Sequence, residues 1–157
     1  MVKGTVVSLH IAPEAEAPMV SVRSVRAVPG KGLEGDRYHD LRGTFGKSHA
    51  PESEVTLIES EAIAALRRDY EIELDAGDSR RNIVTRGMAL NNLVGRDFRT
   101  GEVTLRGIKL CAPCRHLERV TGRLVREGLD QRGGLRAQIL AGGTIRTGDT
   151  IEVIETE

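Results

Sequence analysis

Apolar and polar residues alternate along much of the chain with the two-residue period of a half-buried strand. Val2 to Ile11 carries Val6, Val7, Leu9 and Ile11 among Thr and Ser, and predicts a first strand. Ala12 to Pro18 is a Pro/Ala/Glu loop, and Met19 to Val28 alternates through Val20, Val22, Val25 and Val28 up to the Pro29-Gly30 turn. That pattern predicts one second strand. Val55 to Ile58 is a short apolar strand, Ser79 to Thr85 enters the core as another, and Arg96 to Arg106 predicts a hairpin around Thr100-Gly101. Leu135 to Ile154 alternates on both sides of Gly142-Gly143 and predicts two closing strands. The phrase Arg99-Thr100-Gly101-Glu102 is echoed at Arg146-Thr147-Gly148-Asp149, too short a copy to be a repeat.

Two segments break the period. Ser60 can cap a helix over Glu61 to Arg68, with Ala62, Ile63, Leu66 and Tyr70 facing inward. Its acidic start and Arg67-Arg68 end suit the helix dipole. Leu117 to Leu129 fits a second helix, weakened by Gly122. Between the strands, Lys31 to Pro51 has little periodicity, and a loop of that length in a compact domain is usually functional or mobile. Many short strands, one or two helices and no βαβ alternation predict a mostly β fold, closed or partly closed as a barrel.

Composition narrows the class. A chain of 157 residues that is 39% apolar and 29% charged describes one globular domain, here taken as residues 1–157. No apolar run approaches the roughly 20 residues that span a bilayer, and charge and glycine interrupt the start where a signal peptide would lie. The expected compartment is the cytoplasm. The 23 basic and 23 acidic residues cancel, and aromatics are 3% with no Trp, which argues against a nucleic-acid partner.

The sharpest local chemistry is Cys111-Ala112-Pro113-Cys114-Arg115-His116. Arg115 and His116 can stabilise a thiolate, the form that ligates soft metals or attacks sulfur. A zinc site built on both cysteines and His116 is an alternative, but it lacks the usual second ligand pair. A thioredoxin-type pair would need a βαβ setting. Arg80-Arg81-Asn82 can clamp a phosphate through planar paired donors, or can be a solvated strand end. The glycine-flexed Gly32 to His39 stretch brings Arg37 to a turn that could approach an anion, or could hold only a surface ion pair. His39 and His49 have no ligand spacing between them.

In order along the chain stand GLEGDRYH (32–39), VTLIE (55–59), RRNIV (80–84), LVGRDF (93–98), GEVTLRG (101–107), CAPC (111–114), GGLRAQIL and GDTIEV. Together they resemble the MOSC domain, the C-terminal module of molybdenum-cofactor sulfurases, which also occurs as short bacterial proteins. The resemblance spans about Gly32 to Ile154. It implies a barrel of the MOSC, pyruvate-kinase-type β-barrel kind and one key cysteine late in the chain, matched here by Cys114, that binds molybdenum or carries sulfur. It makes Arg80 and Asn82 candidates for holding the phosphate of molybdopterin, with Arg81 beside them and Arg37 as a weaker candidate. The separate N-terminal β-barrel of larger relatives is not matched. Nor is a cysteine-desulfurase domain with its pyridoxal-phosphate lysine, so pyridoxal phosphate is not expected on this chain.

Three functions compete. The first is a molybdenum-cofactor binding or sulfur-handling protein, partnered by a cysteine desulfurase or a molybdoenzyme. The second is a molybdenum-dependent reductase of N-hydroxylated compounds with a separate redox donor. The third is a non-catalytic, zinc-stabilised or degenerate interaction domain.

Overall fold

The computed structural model describes residues 3–13, 19–36, 54–70, 81–111 and 134–154. Eleven strands and one helix lie among them. β1 (Lys3–Ile11), β2 (Val20–Val22), β3 (Ser24–Val28), β4 (Gly32–Leu33) and β5 (Val55–Glu59) precede α1 (Ser60–Tyr70). β6 (Ile83–Arg86), a 3-10 turn at Leu90–Leu93, β7 (Asp97–Thr100), β8 (Val103–Leu110), β9 (Leu135–Ala141), β10 (Gly143–Arg146) and β11 (Thr150–Val153) follow.

Seven strands form a closed barrel in the order β11-β7-β8-β9-β5-β6-β1, and β1 returns to β11. The predicted mostly β, barrel-like fold is what forms. Closure is antiparallel, Lys3 to Thr5 against Glu152 to Thr150, and an ion pair of 3.5 Å joins Lys3 Nζ to Glu152 Oε2. β2 adds to the far end of β1, while β10, β3 and β4 make a separate three-stranded sheet. A barrel leaves few strand edges unpaired, which suits a chain of many short strands.

Register lines the interior. Leu135 pairs Leu57, Leu57 pairs Ile83 and Ile83 pairs Leu9, so one level of the wall presents four large side chains with no solvent exposure. Each such burial stabilises by roughly 2 kcal/mol. Phe98, Val103, Leu105, Ile139 and Ile151 continue the same core. In β1 the apolar step from Val6 to Leu9 is three residues, out of phase with a strand. A bulge between Val6 and Ser8 absorbs the extra residue and turns both side chains inward.

β5 and β6 are the one parallel pair among the described strands, and α1 packs on both. Both strands are therefore buried on two faces. Val55, Leu57 and Ile83 face the barrel core, while Ile58 and Val84 are buried outside that cluster. Ala62 and Ala65 are the buried residues among the described side chains of α1, small enough to let the helix approach closely. Ser60 is the first residue of the helix, and its hydroxyl bonds the Glu61 carboxylate at 3.3 Å instead of capping a backbone amide. The predicted contacts of Leu66 and Tyr70 lie outside the described side chains.

Two predicted elements divide. Met19 to Val28 is two strands in two sheets, broken at Arg23. The apolar step lengthens from two to three between Val22 and Val25, so one strand cannot turn both to the same face. Leu135 to Ile154 is three strands. Gly142 and Gly143 do not form a hairpin; they carry the chain from the barrel to β3, where Gly143 pairs Ala27. The predicted hairpin at Thr100-Gly101 forms as β7 and β8, with Thr100 opposite Val103. The second predicted helix, Leu117 to Leu129, lies outside the described residues.

A buried carboxylate joins the two sheets. Glu54, 2% exposed, accepts hydrogen bonds at 3.1 Å from the Gly30 and Ile139 amides. Glu54→Ala should lower the free energy of unfolding by about 1–3 kcal/mol, because the Ile139 amide is left unpaired in the core. Urea unfolding checks this, with Glu54→Gln, which keeps an acceptor, losing less.

Candidate functional site

The cysteine-bearing segment leaves and re-enters the barrel at one point. β8 ends beside the start of β9, and the Cys111 amide donates to the Gly134 carbonyl at 2.7 Å. Gly134 sits at φ +112° with Leu57 and Ile58 against its α-carbon, and any Cβ there would collide with the Leu57 carbonyl. Only glycine lets β9 start so close to β5. Cys111 is 2% exposed and free, so it is a buried thiol at the foot of the segment. Cys114 lies outside the described residues. Two residues, Ala112 and Pro113, separate it from Cys111, which keeps the two α-carbons within about 11 Å of each other.

The second anchor is the start of β6. Arg81 is 7% exposed and Asn82 is fully buried. The Asn82 side chain is spent on the wall. Its Oδ1 accepts from the Thr56 amide and the Thr56 hydroxyl, both at 3.1 Å, and its Nδ2 donates to the His10 carbonyl at 3.1 Å. Its backbone amide donates to Thr56, and its carbonyl accepts from the His10 amide at 2.7 Å. The residue expected to hold a phosphate thus ties β6 to β5 and β1. Arg80 and Arg37 lie outside the described residues, as do His39, His49 and His116.

Register relates the anchors. Cys111 is level with Gly134, which lies against Ile58, and Ile58 pairs Val84. Asn82 is two residues before Val84 and three strands from β8, a displacement of about 7 Å along the strands and about 14 Å across them. Both anchors belong to the one stretch of wall β8-β9-β5-β6. Of the candidate side chains, the described residues include Arg81 and Asn82 and not Cys114, Arg80 or Arg37. Among them no group of three or more His, Cys, Asp or Glu residues is placed to hold a metal.

The wall near Asn82 also carries polar groups that the motifs did not single out. His10 is 5% exposed, and its Nε2 lies 2.8 Å from Ser8 Oγ. Burial lowers its pKa below the usual 6.5, because the charged imidazolium loses solvation. The only trace in the sequence is the placing of Ser8 and His10 at alternate positions of β1. Asp36, fully buried, accepts from the Ala12 amide at 2.9 Å, so the Gly35-Asp36 part of the loop phrase is a fastening of β1. Gly32, at φ +124°, packs against the Glu54 carbonyl where a Cβ would collide.

Comparison with known proteins places this wall. A family model described as the MOSC domain matches residues 40–152. The chain belongs to the MOSC domain family. That family is associated with molybdenum-cofactor binding and sulfur handling. Among solved structures, this MOSC chain is similar to the YuaD protein from Bacillus subtilis, at a TM-score of 0.81 and 15% identity over 99% of this chain and 97% of that one. It is also similar to YiiM from Geobacillus stearothermophilus (TM-score 0.73, 17% identity, 97% of this chain and 75% of that one). YiiM from Escherichia coli aligns with a TM-score of 0.68 and 17% identity over 100% of this chain and 71% of that one. At these identities the likeness is one of fold. No curated protein matches the chain. No helix among the described residues is long and apolar enough to cross a membrane.

The buried imidazole has a pH consequence. With its folded pKa depressed, His10 contributes stability that is whole above about pH 6.5 and is lost as pH falls toward the folded value. The melting temperature of the wild-type chain should therefore fall more steeply between pH 6.5 and 5 than that of His10→Gln. Parallel curves in that window would contradict this.

Proposed function

We propose that this MOSC protein binds molybdenum cofactor or handles its sulfur in the cytoplasm, with Cys114 as the thiolate that holds metal or carries persulfide. The supporting observation is the hydrogen bond from Cys111 to Gly134, which hangs the cysteine segment from the rigid wall that also carries Arg81 and Asn82. The donor chemistry fits the group. A thiolate suits a soft metal, and guanidinium groups suit the phosphate of a pterin. Molybdenum, when bound, would supply the redox or sulfur chemistry, and the chain's own residues would hold and orient the cofactor.

Division of labour between the cysteines follows from burial. Cys111 is sealed at the strand end, out of reach of a ligand arriving from solvent, so it serves packing. Cys114 is the nucleophile or ligand. Arg80 and Arg81, with Arg37 as a weaker contributor, supply positive charge for the phosphate. A cysteine desulfurase, a molybdoenzyme or a redox donor is the expected partner.

Metal analysis and intact mass test the proposal on protein from a molybdenum-replete host. Wild-type chain should carry molybdenum, or a persulfide lost on thiol reduction. Cys114→Ser should lose it with little change in melting temperature, and Cys111→Ser should retain it. Retention by Cys114→Ser together with loss by Cys111→Ser would reverse the assignment. Stoichiometric zinc and no molybdenum or persulfide would overturn the function.

A further inference from the structure

We infer that Ser8 is a nucleophilic hydroxyl, activated by His10, that takes an acyl group from a small activated ester. The inference is independent of the molybdenum site. Ser8 Oγ lies 2.8 Å from His10 Nε2, within the reach a general base needs to remove a hydroxyl proton. Two residues apart on a strand, the two side chains share a face. The bulge in β1 decides which face. Val7 is opposite no residue of β6, and this extra residue turns Leu9 into the barrel core, so Ser8 and His10 point out of it. Unbroken alternation from Val6 would have turned both of them inward.

The two groups differ in exposure as the chemistry requires. His10 is 5% exposed, and Ser8 is half-buried. Burial keeps the imidazole neutral near neutral pH, and the neutral ring is the form that accepts a proton. With its own proton on Nδ1, that ring takes the Ser8 hydroxyl hydrogen at Nε2. The backbone beneath it is fixed on both polar groups. The His10 amide donates to the Asn82 carbonyl at 2.7 Å, and the His10 carbonyl accepts from Asn82 Nδ2 at 3.1 Å. Across the strand pair His10 faces Ser21 of β2, which carries no charge. Ser8 stands at a step in the wall. On the side away from β6, β11 pairs with Lys3 to Thr5 and β2 with Leu9 to Ile11, and neither is paired with Ser8.

The ester is the one co-reactant. Ser8 Oγ bonds to its carbonyl carbon as the hydroxyl proton passes to His10 Nε2. The bond from that carbon to the leaving oxygen breaks, and Nε2 returns the proton to the departing alkoxide or to water. The products are an ester on Ser8, a released alcohol and a neutral imidazole, with no change of oxidation state.

The test incubates the full chain with p-nitrophenyl acetate near neutral pH and follows p-nitrophenolate release, intact mass and the acetylated residue by tandem mass spectrometry. Ser8 should gain an acetyl group ahead of Ser21 and Ser24, both exposed, which serve as references in the same chain. Ser8→Ala should lose that group. His10→Gln, shown by its melting curve to be folded, should slow acetylation of Ser8 about a hundredfold and leave Ser21 and Ser24 unchanged. In the wild-type chain unfolded in urea the preference for Ser8 should vanish, a comparison that needs no variant to fold. A Ser8 modified no faster than Ser21 and Ser24 in the folded wild-type chain would overturn the inference. So would equal rates at Ser8 in wild type and folded His10→Gln, or a preference for Ser8 that persists in urea.

Discussion

Closure of the barrel through β1 is the constraint on which the rest depends. β1 pairs with β6, with β11 and with β2, so a single strand at the start of the chain joins the two ends of the sheet. Without that pairing, β6 and β11 would be open edges, and the Leu135-Leu57-Ile83-Leu9 level would lose its last member. The turn before β11 reinforces it. Val6 accepts from the Gly148 amide and donates to the Asp149 carbonyl, both at 2.8 Å, and Asp149 Oδ2 holds the Arg146 amide at 2.7 Å. The Arg-Thr-Gly-Asp phrase is thus a clasp between the ends of the chain.

Much of the wall was legible because strand alternation and turn residues are local. The hairpin at Thr100-Gly101, the apolar Val55 to Ile58 strand and the helix that follows it lie where the pattern puts them, although Ser60 begins that helix and does not cap it. The misreadings came from non-local choices. Nothing near Gly142 says that the next strand will join β3, over a hundred residues earlier, and the phase slip after Val22 is one residue in a long alternating run. Pairing partners are set by core packing across the whole barrel, which periodicity does not encode.

The site was legible in a different way. The phrases that carry the family resemblance prove, where they are described, to be mostly fastenings. Asp36 holds β1, Asn82 staples three strands, Gly134 admits the start of β9 against Leu57, and Gly107 exchanges hydrogen bonds with Gly95 and Arg96. A buried amide and a phosphate-binding amide look alike in sequence, since both call for Asn beside Arg. Only the partners of its oxygen and nitrogen separate them. His10 went unseen for the converse reason: one polar residue in a strand reads as solvated until the opposing strands are known.

The attachment of the cysteine segment to the barrel wall rests on the hydrogen bond from Cys111 to Gly134. Amide hydrogen exchange at Cys111, whose N–H is given to Gly134, tests it most directly. A Cys111 amide as protected as those of Leu57 and Ile83, opening only with global unfolding, is the predicted result. Exchange at the rate of a frayed strand end, while the rest of the barrel stays protected, would contradict it.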